Sequence, residues 1–71
     1  MRADNRNVYE VTYTTIRGNT RVMYARVEDE DMVKKTFQRI ICIENKGFGG
    51  DYLSKEKLIN ELCLDPTIEW L

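Results

Sequence analysis

Apolar and polar residues alternate from Val8 to Tyr13, with Tyr9, Val11 and Tyr13 two apart, and the alternation returns at Met23, Ala25 and Val27. Period-two patterning in segments rich in Val, Tyr and Thr predicts strands. The two segments, Val8 to Ile16 and Arg21 to Val27, flank Arg17-Gly18-Asn19-Thr20, and residues 8–27 therefore read as a β-hairpin. A three-residue loop at Arg17 to Asn19 would set Tyr9, Val11 and Tyr13 opposite Val27, Ala25 and Met23. On the other face it would pair Glu10 with Arg26 and Thr12 with Tyr24. A two-residue Gly18-Asn19 loop would mix charge into both faces, which disfavours it.

The period then lengthens. Met32, Val33, Phe37, Ile40 and Ile41 recur at helical spacing behind Glu28-Asp29-Glu30-Asp31, predicting a helix over 29–45 with Asp29 as N-cap. The acidic run complements the positive end of that helix. Residues 46–53, with Gly47, Gly49 and Gly50, read as a glycine-rich loop in which Phe48 closes the edge of the core. This loop carries neither a phosphate-binding nor a dinucleotide-binding glycine pattern. Ser54 caps a second helix over 54–64, with Leu53 and Leu58 as a hydrophobic staple and Leu58, Ile59, Leu62 and Cys63 along one stripe. Pro66 ends it. Residues 67–71 are short and β-prone, with Ile68 and Trp70 on one face. The expected fold is a small single α+β domain spanning 1–71 in the order ββααβ, with residues 1–7 flexible and both helices on one face of the sheet. The expected core is Tyr9, Val11, Tyr13, Met23, Ala25, Val27, Val33, Phe37, Ile40, Ile41, Leu58, Leu62 and Ile68.

Length and composition narrow what such a domain can do. Seventy-one residues, 42% hydrophobic and 32% charged, support one modest core without room for a second lobe around a deep cleft. A core of that size contributes roughly 3 to 5 kcal/mol, so a partner surface or self-association is a natural source of further stability. The longest uninterrupted apolar run, Ile40 to Ile43, is far too short to span a membrane, and Met1 to Asn7 lacks a signal-peptide core. A cytoplasmic location is expected. Cys42 and Cys63 lie among apolar neighbours without metal-ligand spacing and read as buried reduced thiols, a disulfide being the lesser alternative.

Chemistry is notable by omission. The chain has no histidine, which excludes the Ser/His/Asp and Cys/His constellations and histidine-containing metal sites. Glu28 to Asp31 lack the spacing and glycine of a calcium loop. The expectation is a protein that is not an enzyme and takes no cofactor or metal. Charge is uneven: residues 1–27 carry five arginines against two acids, whereas residues 28–71 carry six basic and ten acidic residues. Such a split can steer a charged partner or simply keep a surface solvated.

Two function classes fit. The favoured one is a non-catalytic protein-binding module, a small inhibitor or regulator. Its candidate contacts are the acidic run Glu28, Asp29, Glu30 and Asp31, with Tyr24 on an exposed hairpin face beside Val8 and Val22, and Trp70, whose commoner role would be to complete the core. The alternative is nucleic-acid binding through Arg17, Arg21 and Arg26 of the hairpin, against which stands a pI near 5.4. A self-assembling subunit, pairing a free strand flank with a copy of itself, is a third arrangement. In size and style the chain is similar to small accessory proteins of bacteriophages and other mobile elements; no motif carries that similarity, and it assigns no residue a role.

Overall fold

A computed structural model of the chain describes residues 6–50 and 54–71. The expected staple residue Leu53, residues 51–53 of the expected glycine-rich loop and residues 1–5 of the segment expected to be flexible lie outside the described residues. Six elements follow in order: β1 (Asn7–Thr14), β2 (Thr20–Val27), α1 (Glu30–Thr36), β3 (Ile40–Phe48), α2 (Lys55–Glu61) and β4 (Glu69–Trp70). The strands form one four-stranded sheet in the order β3-β1-β2-β4, antiparallel except for the parallel pair β2 and β4. The α+β class stands, whereas the ββααβ order is corrected to ββαβαβ.

The hairpin forms, with a wider connection than the spacing suggested. Thr14 pairs with Thr20, leaving Thr15 to Asn19 as the loop. Thr15 closes it: its N–H donates to the Asn19 carbonyl at 2.7 Å, its carbonyl accepts from Gly18 N–H at 2.9 Å, and its hydroxyl accepts from Asn19 N–H at 3.1 Å. A threonine whose hydroxyl bonds nearby backbone competes with the ladder in this way. The register therefore moves by two residues, to Tyr9↔Ala25, Val11↔Met23 and Glu10↔Tyr24. A shift of two keeps every side chain on its expected face, because the strand period is two. It does change the partners: Tyr9 no longer faces Val27, and neither Glu10 with Arg26 nor Thr12 with Tyr24 forms.

The first helix is a single short one. Asp29 caps it as expected, accepting from Met32 N–H at 3.0 Å, but the helix ends at Thr36 and residues 40–45 belong to a strand. Ile40, Ile41 and Ile43 are β-branched, and their stiff side chains suit a pleated surface better than a helix. Phe37 turns to extended backbone and Arg39 takes a left-handed φ of 55°, redirecting the chain into β3. Phe37 and Ile40 both reach the expected core, one beside the helix and one from the strand, which is how a helical spacing arises without a helix. Ile41 is 60% exposed and leaves the core list.

Strand β3 pairs with β1 through two irregularities, one between the Val8 and Tyr9 pairs and one between the Thr12 and Tyr13 pairs. Each accommodates one extra β3 residue, a β-bulge. Residues 46–48, expected in a loop, thus extend β3, and Asn7 belongs to β1 rather than to a flexible tail. Gly49 follows, its N–H donating to the Arg6 carbonyl at 2.9 Å.

The two helices cover opposite faces, not one. Tyr9, Val11 and Ala25 bury against Val33 and Phe37 around α1, with Tyr13, Met23, Val27, Ile40 and Ile43 packed on them. On the reverse face Val8 and Tyr24 bury against Leu58 and Leu64, with Ile59, Leu62, Ile68 and Trp70 around them. Both faces carry enough apolar residues to hold a helix, and burying a Val or Leu side chain completely contributes about 1.5–3 kcal/mol, so a second covered face is favoured over an exposed one. Ser54 caps α2 through its hydroxyl, accepting from Lys57 N–H at 3.1 Å. The far end closes by a Schellman arrangement: Cys63 adopts φ 54° and Leu64 N–H donates to the Ile59 carbonyl at 2.9 Å, which drops Leu64 onto Leu58.

Candidate interaction surface

The expected contact residues do not converge on one surface. Glu28, Asp29, Glu30 and Asp31 are exposed at the start of α1. Asp29 is occupied as the cap, Glu30 lies 4.0 Å from Lys34 one turn on, and the Glu28 carbonyl accepts from Asn7 Nδ2 at 3.5 Å. The run thus has a local structural role.

Tyr24 corrects the expectation outright. It is 2% exposed, because the face thought free is the one α2 covers, and Val8 is fully buried beside it. Tyr24 is a core residue and no contact site. Trp70 is half-buried on β4, its ring tilted against Tyr24 with centroids 5.2 Å apart. The Arg26 guanidinium and Lys55 ammonium lie 6.0 Å and 5.7 Å from the indole centroid, a cation–π arrangement on either count.

The three hairpin arginines are likewise dispersed. Arg17 sits in the exposed loop. Arg21 shares the α1 side of β2 and reaches Glu69 at 3.5 Å, an exposed pair that contributes little. Arg26 shares the α2 side with Trp70. Arg21 and Arg26 point to opposite faces, so the three do not form a single phosphate-tracking ribbon. Glu10, once matched to Arg26, instead accepts from Lys46 at 3.1 Å, and Glu44 takes the same ammonium at 3.2 Å. These two carboxylates, Glu10 foremost, hold the Lys46 ammonium above its ordinary 10.5.

Both cysteines are exposed free thiols, against the expected burial. Cys42 stands opposite Thr12 on the reverse face, beyond the residues α2 covers, and Cys63 is displaced outward by its left-handed backbone. Among the described residues no three His, Cys, Asp or Glu side chains gather as metal ligands would, and no helix is long and apolar enough to cross a membrane.

What the structure does bring together lies at the hairpin end. Ile16 is 93% exposed in the loop, next to Arg17. The Arg39 carbonyl accepts from Thr14 N–H at 3.0 Å, which sets exposed Arg39 and Ile41 beside the same end. Phe37 stacks on Tyr13 with centroids 5.1 Å apart, so the last turn of α1, with Lys34 and Lys35, also finishes here. The molecule is accordingly polarised along the strands, with basic residues and the exposed Ile16 and Ile41 at the hairpin end and Glu28 to Asp31 at the other. One signal for Ile16 was present: strict alternation puts a residue at 16 on the opposite face from Tyr9, Val11 and Tyr13. No family model matches the chain, and neither a curated protein nor a solved structure matches it.

Proposed function

We propose that this chain is a non-catalytic protein-binding module, a small cytoplasmic inhibitor or regulator that docks through its hairpin end on an acidic surface of a larger protein. The observation that carries the reading is Ile16, 93% exposed in the loop beside Arg17, at the end of the sheet where Thr14 bonds to Arg39. A branched apolar side chain presented by a closed, hydrogen-bonded loop is a suitable anchor in a partner's pocket, with flanking cations supplying orientation. Nucleic acid is less favoured, since Arg21 and Arg26 are directed to opposite faces and engaged within the fold.

The test is capture of partners by tagged wild-type protein, by Ile16→Asp and by Arg17→Glu, from lysate divided into nuclease-treated and untreated halves. The expected result is a protein recovered in stoichiometric amount by wild type in both halves and lost with either variant, while thermal midpoints stay within about 0.5 kcal/mol equivalent, the usual range for exposed positions. Recovery that disappears on nuclease treatment would transfer the reading to nucleic acid. Equal recovery by all three proteins would remove the hairpin end from it.

A further inference from the structure

The two edges of the sheet differ. At one, β4 contributes two residues and is tied down by Leu71 N–H donating to the Tyr24 carbonyl at 2.8 Å. At the other stands β3, nine residues long, with Ile41, Cys42 and Phe48 exposed along it and no further strand among the described residues. A long edge is a template for pairing with another strand, and proteins ordinarily blunt one with bulges and charge; the charges of β3, Glu44 and Lys46, are paired with each other at 3.2 Å. The bulges of β3 lie toward its ends, and between them Cys42, Ile43, Glu44 and Asn45 pair regularly with Thr12, Val11, Glu10 and Tyr9.

Which peptide groups face outward follows from the ladder. The bond from Thr15 N–H to Asn19 O assigns the odd residues of β1 to bonding with β2. The bonds from Thr14 N–H to Arg39 O and from Gly49 N–H to Arg6 O assign the even ones to β3. In an antiparallel pair, opposed residues alternate between bonded and unbonded. Cys42 and Glu44, opposite Thr12 and Glu10, therefore direct their N–H and C=O groups inward, and Ile43 and Asn45 direct theirs away from the sheet.

We propose that this edge pairs antiparallel with β3 of a second copy of the chain, around a two-fold axis at Ile43. Ile43 then exchanges both backbone bonds with Ile43 of the second copy, and Asn45 faces Ile41 of the second copy. The axis is perpendicular to the sheet, so the two α1 helices share a side and the two Ile43 side chains join the two cores into one. Other axes are worse: Cys42 and Glu44 turn their peptide groups inward, and an axis at Asn45 meets the Lys46 bulge one residue from its centre, whereas the axis at Ile43 reaches the Ile41 bulge only two residues out, where the ladder ends.

The occupant is identified by charge as well as by shape. An antiparallel axis reverses the strand direction, which lays the hairpin end of one copy, with Arg17, Arg39, Lys34 and Lys35, alongside the end of the other that carries Glu28 to Asp31. A short ladder of this kind belongs to the weak, concentration-dependent class of association. Ile16 lies outside the ladder, so sedimentation and cross-linking of the chain alone read the dimer whether or not the hairpin end captures a partner.

Sedimentation equilibrium of the wild-type chain over about a hundredfold range of concentration reads the association. The mass is expected to rise from 8.4 kDa toward twice that value. Register is read with Glu44→Cys in a Cys63→Asn background, leaving Cys42 as the second thiol and oxidised glutathione as oxidant. Around an Ile43 axis, position 44 lies opposite Cys42 of the second copy in an unbonded pair. The Cα separation there, about 4.5 Å, is within disulfide range. Covalent dimer should form at least several-fold faster than in Cys63→Asn alone, where the two Cys42 thiols sit diagonally, about 7–8 Å apart. The Glu44 side chain is 61% exposed and Cys63 is exposed, so both variants are expected to keep the wild-type circular dichroism spectrum. A chain that stays at 8.4 kDa throughout, or a dimer whose cross-linking gains nothing from Glu44→Cys, overturns the proposal.

Discussion

The phenolic oxygen of Tyr24 accepts a hydrogen bond from the backbone N–H of Asp65 at 2.8 Å, joining the middle of β2 to the turn that leads into β4. The ring meanwhile fills the α2-side core against Leu58, Leu64 and Trp70. Two substitutions separate these roles. Tyr24→Phe keeps the packing and leaves one partly buried N–H without its acceptor, which should cost about 1 kcal/mol. Tyr24→Ala also removes the ring and should cost about 3–5 kcal/mol. In a domain of this size each kcal/mol lowers the thermal midpoint by about 4–8 °C, so a melting curve distinguishes the two.

The acidic run before α1 should divide by position. Asp29→Ala removes the acceptor of Met32 N–H and should cost about 1 kcal/mol. Glu28→Gln removes a charge without touching a cap and is expected to change stability by less than about 0.5 kcal/mol. Denaturant midpoints of the two variants compare the effects directly.

Stability should fall at both extremes of pH through two identified groups. Asp65 accepts from the Thr67 hydroxyl at 2.7 Å and from Thr67 N–H at 2.9 Å, and these bonds hold its carboxyl below the ordinary 3.8. Its contribution is complete above 3.8 and is lost as pH falls through the lowered folded value. Lys46 behaves in the opposite sense. Raised by Glu10 and Glu44, it contributes fully below 10.5 and loses that contribution as pH rises through its folded value. Thermal midpoints against pH should therefore flatten on the acid side in Asp65→Asn, and on the alkaline side in Glu10→Gln combined with Glu44→Gln.

Two glycines should resist substitution for different reasons. A Cβ on Gly49 would lie 2.6 Å from Cγ2 of the fully buried Val8, so Gly49→Ala should cost about 1–3 kcal/mol by overpacking. Gly18 has open space around it but φ of +88°, and Gly18→Ala should cost about 1–2 kcal/mol in backbone strain alone. Gly18→Asn should be milder, since asparagine tolerates that region. Chemical denaturation of the three variants tests the distinction.

Local pattern alone determined the hairpin faces, the caps at Asp29 and Ser54, and most of the α1-side core. These depend on strand alternation and on nearest-neighbour hydrogen bonds, which operate over a few residues. The isoleucines at 40, 41 and 43 show where that information ends. Their spacing after Val33 and Phe37 fits one helix, yet Ile40 and Ile43 reach the same core from a strand, and pairing with β1 adds to the strand preference of their β-branched side chains. The exposed hairpin end was hidden for a related reason. Ile16 leaves the sheet because Thr15 closes the loop on itself, a competition between two hydrogen-bonding arrangements that composition does not decide.

The sequence by itself determined the small α+β class and which residues of the hairpin share a side. Only the tertiary structure decided that the helices lie on opposite faces, that Tyr24 is core, that Cys42 and Cys63 are exposed, and that β3 is an edge strand among the described residues. Each of these depends on contacts between residues distant in the chain, where burial of apolar area and the completion of backbone hydrogen bonds outweigh local preference.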